Sequence, residues 1–249
     1  MDVDTHPREL EEFCYLDQWA AEAYLTALDA GEERLLKLLN EGKKIHNWML
    51  DVTKEKFPAE VAASGYNYKR AKQTVHGLNY GMEAEKSAKE SGLPLYVAQW
   101  QSLFYHGSFP GIKLRQKRIQ DELIRTRTLT SVLGRKRVFL APFGPELLNQ
   151  AYAWPSQSCI GELTNIGLTK LMHIGLILKD PWMFPCLNTH DGLVIRMLKG
   201  TREQVKARVR QAFNLPLVKN GLRATIPIEV GFGPNFQEHD EDVEVIRYE

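Results

Sequence analysis

The sequence predicts an α+β fold, with strands near both ends of the chain and a helical middle. A short aromatic and apolar segment near the N-terminus is bounded by charges, as β-strands often are. Leucines then recur at helical spacing, and two apolar runs near the C-terminus flank an Asp-Gly pair, a strong hairpin signal. Because strands and helices form separate blocks instead of alternating, the pattern favours an α+β fold over an alternating βαβ arrangement.

The first half of the chain is predicted to be one strand followed by helices. The aromatic segment 12–16 is predicted as a strand that ends at Asp17. Residues 19–28 and 32–40 are predicted as helices, the second from the spacing of its leucines. Three further stretches carry helical patterns, and two glycines interrupt the first of them: 66–89, 95–105 and 113–126.

The second half is predicted to return to strands. A shift to β-branched residues around Leu133-Gly134-Arg135 indicates a hairpin over residues 129–140. A long helix is predicted over 158–178, and the apolar runs 184–188 and 193–197 form the Asp-Gly hairpin. A helix and a final strand complete the prediction, at 202–213 and 226–230.

The charges of the chain are sorted, although their total is close to zero. The 249 residues include 32 Lys and Arg against 31 Asp and Glu. Cations dominate the segment 113–137, whereas acids dominate from residue 238 onward, and that acidic tail is expected to be solvated. A basic segment beside an acidic tail indicates a nucleic-acid partner.

Several classes of protein are excluded by composition. The three cysteines are odd in number and far apart, which argues against a disulfide scaffold or a structural zinc site. The polar, acidic N-terminus does not resemble a signal peptide. The longest apolar stretch, 174–178, is far shorter than the roughly 20 residues that a membrane span needs. We therefore expect a soluble cytoplasmic protein with no membrane partner.

Two aspartates stand at positions suited to metal binding. Asp17 ends the first predicted strand, and Asp191 lies in the Asp-Gly turn. Carboxylates at strand ends can share divalent cations that also bind substrate phosphates. Taken alone, Asp191 is explained more simply as a turn residue.

A second group of polar residues lies along one predicted helix face. Lys72, His76 and Tyr80 are spaced by four residues, and Lys69 and Arg70 precede them near the start of the helix. Such a face offers charge to the phosphates of a nucleoside triphosphate and flat rings to its sugar and base. The alternative is a solvated basic face with the tyrosine in the core.

The glycines of this helix weigh against that alternative. Gly77 and Gly81 each cost ~1 kcal/mol relative to alanine inside a helix. A close approach of another group must therefore justify them.

These residues carry a resemblance to a known family. The run from Lys72 to Gly81 resembles the O-helix motif of family A DNA polymerases, Lys-x3-Phe/Tyr-x3-Tyr-Gly. Further motifs of the family follow in order along residues 12–236, and spacing from one of them identifies Asp17 and Glu22 as the motif A acids. The further motifs are Gly42-Lys43-Lys44-Ile45-His46, Leu133-Gly134-Arg135-x-Arg137, Pro155-x-Gln157, Thr189-His190-Asp191 and Glu229-Val230-Gly231.

The resemblance implies roles for individual residues. Asp17 and Asp191 would bind two Mg²⁺ ions, with Mn²⁺ as an alternative, and Gln18 would add its backbone carbonyl. Lys72 would contact the phosphates and protonate the departing pyrophosphate, and Glu22 would exclude a ribose 2′-hydroxyl. The other residues implied for dNTP binding are His46, Lys69, Arg70, His76 and Tyr80, and those for DNA binding are Gly81, Arg135, Arg137, Gln157 and His190.

This chain departs from the family pattern at several of its motifs. His76 replaces the aromatic residue of the O helix, and Tyr68 replaces an arginine whose role Lys69 or Arg70 would have to fill. Gly192 stands where the family has the hairpin glutamate, and Ala153 replaces the helix-start asparagine. The two metal-binding aspartates are retained, which favours an active enzyme.

The resemblance also implies a domain arrangement. Residues 1–28 and 129–249 would form the palm, with its motif C hairpin at about 184–197. Residues 29–128 would form the fingers, with the O helix at about 66–81. A thumb and an exonuclease do not fit before Asp17. A phage-type split polymerase is therefore expected, in which a second polypeptide carries the thumb and the 3′–5′ exonuclease; the alternative is a truncated chain.

The implied function is template-directed addition of dNTPs to a primer in primer–template DNA. One alternative is a non-catalytic nucleic-acid-binding subunit with a degenerate polymerase fold, suggested by Gly192, Tyr68 and Ala153. Another is an RNA-synthesising relative, which Glu22 argues against because a carboxylate gate opposes ribonucleotides.

Overall fold

The computed structural model describes residues 10–177, 183–235 and 243–248. Its strands are β1 (Glu11–Gln18), β2 (Thr128–Thr130), β3 (Lys136–Val138), β4 (Met183–Asn188), β5 (Gly192–Leu198), β6 (Leu217–Lys219), β7 (Leu222–Ala224), β8 (Ile228–Gly233) and β9 (Glu244–Ile246). Its helices are α1 (Ala21–Ala30), α2 (Glu33–Asn40), α3 (Ile45–Lys56), α4 (Pro58–Ser64), α5 (Tyr68–Asn79), α6 (Ala84–Ser91), α7 (Leu95–Ser108), α8 (Pro110–Thr126), α9 (Pro145–Ile177) and α10 (Arg202–Phe213). The α+β prediction is confirmed.

The chain divides into two compact units. The sheet unit comprises the described parts of residues 1–21, 159–217 and 225–249. The helical unit comprises residues 22–158 and 218–224. Among the described helices, none combines the length and the apolarity needed to cross a membrane.

The sheet unit is built on five antiparallel strands in the order β4-β5-β1-β8-β9. Alternate residues of the central strand β1 are buried, as the two-residue period of a strand requires. Its buried Cys14 and Leu16 pack with Val209 and Phe213 of α10. The buried Glu12 is compensated by Arg202, whose Nη2 lies 2.6 Å from the Glu12 carboxylate.

Apolar clusters and a buried ion pair stabilise the described part of the helical unit. One cluster joins α8, the β2–β3 hairpin and the start of α9, and another joins α4, α5 and α7. Arg115 is fully buried, and its Nε donates to Asp29 at 2.6 Å. Burial alone would raise the pKa of the Asp29 carboxyl, but the charges of Arg115 and Arg118 hold that pKa below its usual value.

Several predicted elements differ from the structure. The segment predicted as one interrupted helix over 66–89 is two helices, and α5 starts at Tyr68 because the side chain of Asn67 caps it by accepting from Arg70 N–H at 3.2 Å. The predicted start of the long helix at 158 is wrong, since α9 begins at Pro145 and continues through Pro155. The predictions omitted α3, α4, the β6–β7 hairpin and β9.

The acidic tail is only partly described. Residues 238–242 lie outside the described residues, but β9 follows them directly in the chain and pairs with β8. The expectation that the whole tail is solvated is therefore wrong for Ile246, although Val243 and Glu244 are exposed. Ile246 is buried in the core of the sheet unit, which supplies the reason.

Candidate active site

The two predicted metal-binding aspartates lie at the same end of adjacent strands in the sheet unit. Asp17 is opposite Gly192 in the β1–β5 register, and Asp191 precedes Gly192 in the turn that joins β4 to β5. The backbone N–H of Gln18 donates to the Asp191 carbonyl at 3.1 Å, which ties the turn to β1. Both aspartates are exposed. Sequence positions 174 residues apart are thus brought to one edge.

The turn that carries Asp191 is tightly constrained. His190 adopts a left-handed φ of 75°, and the Thr189 N–H donates to the Gly192 carbonyl at 3.0 Å. A Cβ on Gly192 would lie 2.5 Å from the Leu16 carbonyl oxygen. This close strand approach gives a physical reason for glycine where the family pattern has glutamate.

A hydrogen-bond network that the sequence did not reveal supports this turn. The buried Gln18 side chain donates through Nε2 to Thr164 Oγ1 at 2.6 Å and to the Ile160 carbonyl at 3.0 Å. Thr164 Oγ1 in turn donates to the His190 carbonyl at 2.8 Å. Thr164 lies 26 residues from His190 with no motif around it, so only the packing of α9 against the turn identifies it.

The donor set at this edge fits Mg²⁺. Two exposed carboxylates and nearby backbone carbonyls are hard oxygen ligands, and Mg²⁺ is bound through one or two carboxylates while it keeps water or substrate oxygens. Among the described residues no group of three or more His, Cys, Asp or Glu side chains could hold a metal ion. The arrangement therefore fits an open catalytic metal site, and it does not fit a closed structural one.

In the helical unit, four predicted nucleotide-binding residues lie close together. We call Glu22, His46, His76 and Tyr80 the Glu22 cluster. His76 Nδ1 lies 2.8 Å from Glu22 Oε2, and the His76 ring stacks on His46 with ring centres 5.0 Å apart. Tyr80, which caps α5, lies 6.4 Å from His76 between ring centres.

His46 is uncharged at neutral pH, mainly because it is buried. Burial lowers the pKa of His46 from 6.5 to about 3, helped by charge on His76, Lys72 and Lys44. At neutral pH this ring can exchange hydrogen bonds with a phosphate but cannot supply a positive charge.

The basic residues of α5 are placed differently from one another. Lys72 and Lys69 are exposed. Arg70 instead directs its guanidinium to the Ser64 carbonyl at the end of α4. Lys72 is thus the cation that continues the face of His76 and Tyr80, as the four-residue spacing predicts.

The two glycines of the predicted O helix are explained by packing inside the helical unit. Gly81 has a left-handed φ of 81°, and a Cβ there would lie 2.8 Å from the Tyr152 ring. A Cβ on Gly77 would lie 2.2 Å from the Met82 side chain. The close approach predicted for these glycines is therefore made by the side chains of Tyr152 and Met82.

The remaining predicted DNA-binding residues lie in both units. Arg135 and Arg137 are exposed on the β2–β3 hairpin of the helical unit, where Arg137 stacks 4.7 Å from the centre of the Phe139 ring. Gln157 is exposed on α9 within the same unit. In the sheet unit, a Cβ on Gly161 would lie 3.0 Å from the ring of His190, so α9 and this ring are in close contact.

Comparisons with known proteins place the chain among DNA polymerases of one family. The family described as DNA polymerase family A matches residues 7–238. Thermostable DNA polymerase I of Thermus filiformis is 26% identical over 231 residues, which cover 86% of this chain and 25% of that protein. DNA polymerase I of Helicobacter pylori (strain J99) is 24% identical over 211 residues, 82% of this chain and 23% of that protein. This chain thus spans about a quarter of the length of these relatives.

A solved structure shares the fold. It is the POL domain of Pol1 from M. smegmatis in complex with DNA primer–template and dNTP, which superposes with a TM-score of 0.75 at 19% identity. The superposition covers 90% of this chain and 40% of that one. With the family match spanning nearly the whole sequence and the two aspartates at adjacent strand ends, this chain belongs to DNA polymerase family A.

Proposed function

We propose that this chain carries the nucleotidyl-transfer centre of a template-directed DNA polymerase. The observation that carries the proposal is the placement of Asp17 and Asp191 at neighbouring strand ends, joined through the Gln18–Asp191 backbone hydrogen bond. Family membership supports the reaction class, and the dNTP and primer–template of the M. smegmatis complex suggest the substrates.

In this proposal the chain's residues position the reactants. Asp17, Asp191 and the Gln18 carbonyl would hold two divalent cations, Mg²⁺ or alternatively Mn²⁺. When bound, such ions stabilise the attacking and leaving oxygens of an in-line phosphoryl displacement. Gln18 and Thr164 keep the turn rigid, so that both carboxylates are oriented before substrate arrives.

The helical unit supplies the proposed nucleotide contacts. Lys72 offers its exposed ammonium to the phosphates and donates a proton to the departing pyrophosphate. The neutral His46 donates a hydrogen bond to the phosphate tail. Glu22 excludes a ribose 2′-hydroxyl. His76 and Tyr80 contact the sugar and base, with Lys69 beside the phosphates; Arg70 would join them only by leaving the Ser64 carbonyl.

The DNA contacts are assigned to exposed groups. Arg135 and Arg137 of the β2–β3 hairpin neutralise backbone phosphates, which contribute most non-specific affinity. Gln157 is assigned to the primer end or the template, His190 to the primer end, and Gly81 to DNA. We propose that residues 1–28 and 129–249 form the palm and that residues 29–128 form the fingers.

We further propose that the activity needs a polypeptide beyond these 249 residues, which supplies a thumb and a 3′–5′ exonuclease. This proposal is supported by the coverage of the relatives, of which the chain spans about a quarter. A separate second chain, as in a phage-type split polymerase, is one arrangement that would supply these domains.

One observation favours a second candidate function. Gly192 leaves the hairpin without the acid of the family pattern, and the Leu16 carbonyl blocks a side chain there. A non-catalytic DNA-binding subunit would tolerate that loss.

Paired measurements on Asp191→Asn separate the two functions. For a polymerase, the variant loses more than about 100-fold in single-nucleotide incorporation and keeps primer–template affinity. Asp51→Asn, an exposed aspartate on α3, is the matched control and keeps both properties. The non-catalytic subunit would be favoured if the wild-type protein binds DNA but incorporates no nucleotide. This holds when the proposed polypeptide that carries the thumb, called the thumb-bearing segment below, is also present.

A further inference from the structure

Glu22 is a largely buried carboxylate with a single described hydrogen-bond donor. Its side chain is 18% exposed, and Oε2 accepts from His76 Nδ1 at 2.8 Å. The second oxygen, Oε1, is buried and has no hydrogen-bond partner among the described residues. A buried carboxylate without a donor is costly, so the orientation of Glu22 depends on His76.

His76 is itself held in place by its surroundings. Its ring stacks on His46 at an interplanar angle of 23°, and its Nε2 is buried without a described partner. Charged or titratable groups around this pair include His46 on α3, Tyr105 on α7, and Lys72, Tyr68 and Tyr80 of α5 and its C-cap. Because an ionised carboxylate only accepts hydrogen bonds, the proton of the contact belongs to Nδ1 of His76.

We propose that His76 is a positioning residue for sugar selection, which acts by fixing the Glu22 carboxylate through Nδ1–H. The inference rests on the proposed function of Glu22 as the group that excludes a 2′-hydroxyl. A carboxylate can exclude that hydroxyl only while it stays in one orientation, and discrimination of this kind depends on fixed polar groups. Without the Nδ1 donor, Glu22 turns towards another donor, and the exclusion weakens.

Two substitutions of His76 separate the donor from the ring. His76→Phe keeps a flat ring and removes the donor, whereas His76→Asn places an amide N–H near the position of Nδ1. The measured quantity is the ratio of dNTP to rNTP incorporation efficiency, with the thumb-bearing segment present. We expect His76→Phe to lower that ratio about tenfold, the size of one lost hydrogen bond to a charged group, and His76→Asn to retain most of it.

A double-mutant cycle tests whether His76 acts through Glu22. If it does, Glu22→Ala combined with His76→Phe selects sugars no worse than Glu22→Ala alone. Additive losses would overturn the proposal. His106→Phe is the matched control, because His106 is a half-buried histidine of α7 whose Nδ1 has no described partner. This control substitution should leave the ratio unchanged.

A spectroscopic measurement keeps this inference separate from the polymerase assignment. In ¹⁵N-labelled full-length protein, His76 should show the Nδ1-protonated form with a hydrogen-bonded proton, and Glu22→Gln should shift that signal. A His76 signal that shows the Nε2–H tautomer, or that ignores Glu22→Gln, would overturn the proposal. Absent primer extension with the Nδ1–H signal intact would instead overturn the proposed function and support the Glu22–His76 pairing.

Discussion

Glycine at position 192 is required by the approach of β1 to the turn that holds Asp191. Any side chain would bring a carbon to 2.5 Å from the Leu16 carbonyl oxygen and 3.0 Å from Thr189 Oγ1. Backbone cannot move aside as a flexible side chain can. Restoring the glutamate of the family pattern would therefore distort the edge that places the two aspartates.

We expect Gly192→Ala to lower the free energy of unfolding by about 2 kcal/mol, the usual cost of overpacking. Urea denaturation followed by far-UV circular dichroism measures the change. Gly107→Ala, inside α7 with nothing near its Cβ position, is the control and should stabilise by up to ~1 kcal/mol. A neutral Gly192→Ala would contradict the close approach of the strands.

His46 gives a pH prediction at the same scale. Its pKa is lowered to about 3 in the folded protein, mainly by burial, so the unfolded chain binds this proton more readily. Its contribution to stability is complete above pH 6.5 and is lost progressively as the pH falls towards 3. His46→Phe should flatten the pH dependence of unfolding in this window. An unchanged slope would show that His46 is not buried as described.

A buried ion pair joins α8 to α1 in the helical unit. Arg115 and Arg118 hold the pKa of Asp29 below its usual value in spite of burial. This stability is present above the pKa of an unfolded aspartate, about 4, and is lost as the pH falls through the lower folded-state value.

Asp29→Asn should cost about 3–5 kcal/mol at pH 7, because it leaves the fully buried Arg115 without a countercharge. The loss should shrink as the pH falls from about 4 through the lower folded-state pKa of Asp29, below which the wild-type carboxyl is also neutral. Arg118→Gln is a milder control, since the Arg118 side chain is 44% exposed. Equal losses for the two variants would mean that Arg115 does not depend on Asp29.

A helix or strand could be predicted from the sequence where its signal lies in neighbouring residues. The β4–β5 hairpin followed from its turn residues, β1 from a short aromatic segment bounded by charges, and the face of α5 from four-residue spacing. The β6–β7 hairpin also has a local signal in the sequence, because Asn-Gly is the pair typical of a two-residue hairpin turn. Asn220 and Gly221 both take the positive φ that such a turn requires, so this hairpin could have been predicted. The passage of α9 through Pro155 could not, because a proline inside a helix normally argues for its end.

The same distinction applies to the candidate site. Asp191 and Lys72 were found from motifs, and Asp17 from spacing within the family pattern. The Glu22–His76 contact joins residues 54 positions apart, and the Thr164 network joins α9 to a turn. Such contacts come from tertiary packing, which single-sequence patterns do not encode.

For the whole molecule, DNA affinity is expected to be electrostatic. Arg135→Ala with Arg137→Ala should reduce the slope of log affinity against log salt concentration by about 2, roughly one phosphate contact per arginine. Fluorescence anisotropy with a labelled primer–template measures the slope. Lys86→Ala, an exposed lysine of α6, should leave it unchanged. An unaffected double variant would remove the β2–β3 hairpin from the DNA interface.

The central claim is that this chain holds a metal-dependent nucleotidyl-transfer centre. The most direct test is single-turnover addition of one templated dNTP to a hairpin primer–template with Mg²⁺, with the thumb-bearing segment supplied. We predict that only the dNTP complementary to the template is added, and that Asp17→Asn abolishes the addition while DNA binding persists. Undiminished addition by Asp17→Asn, or no addition by wild-type protein on saturating DNA, would contradict the account.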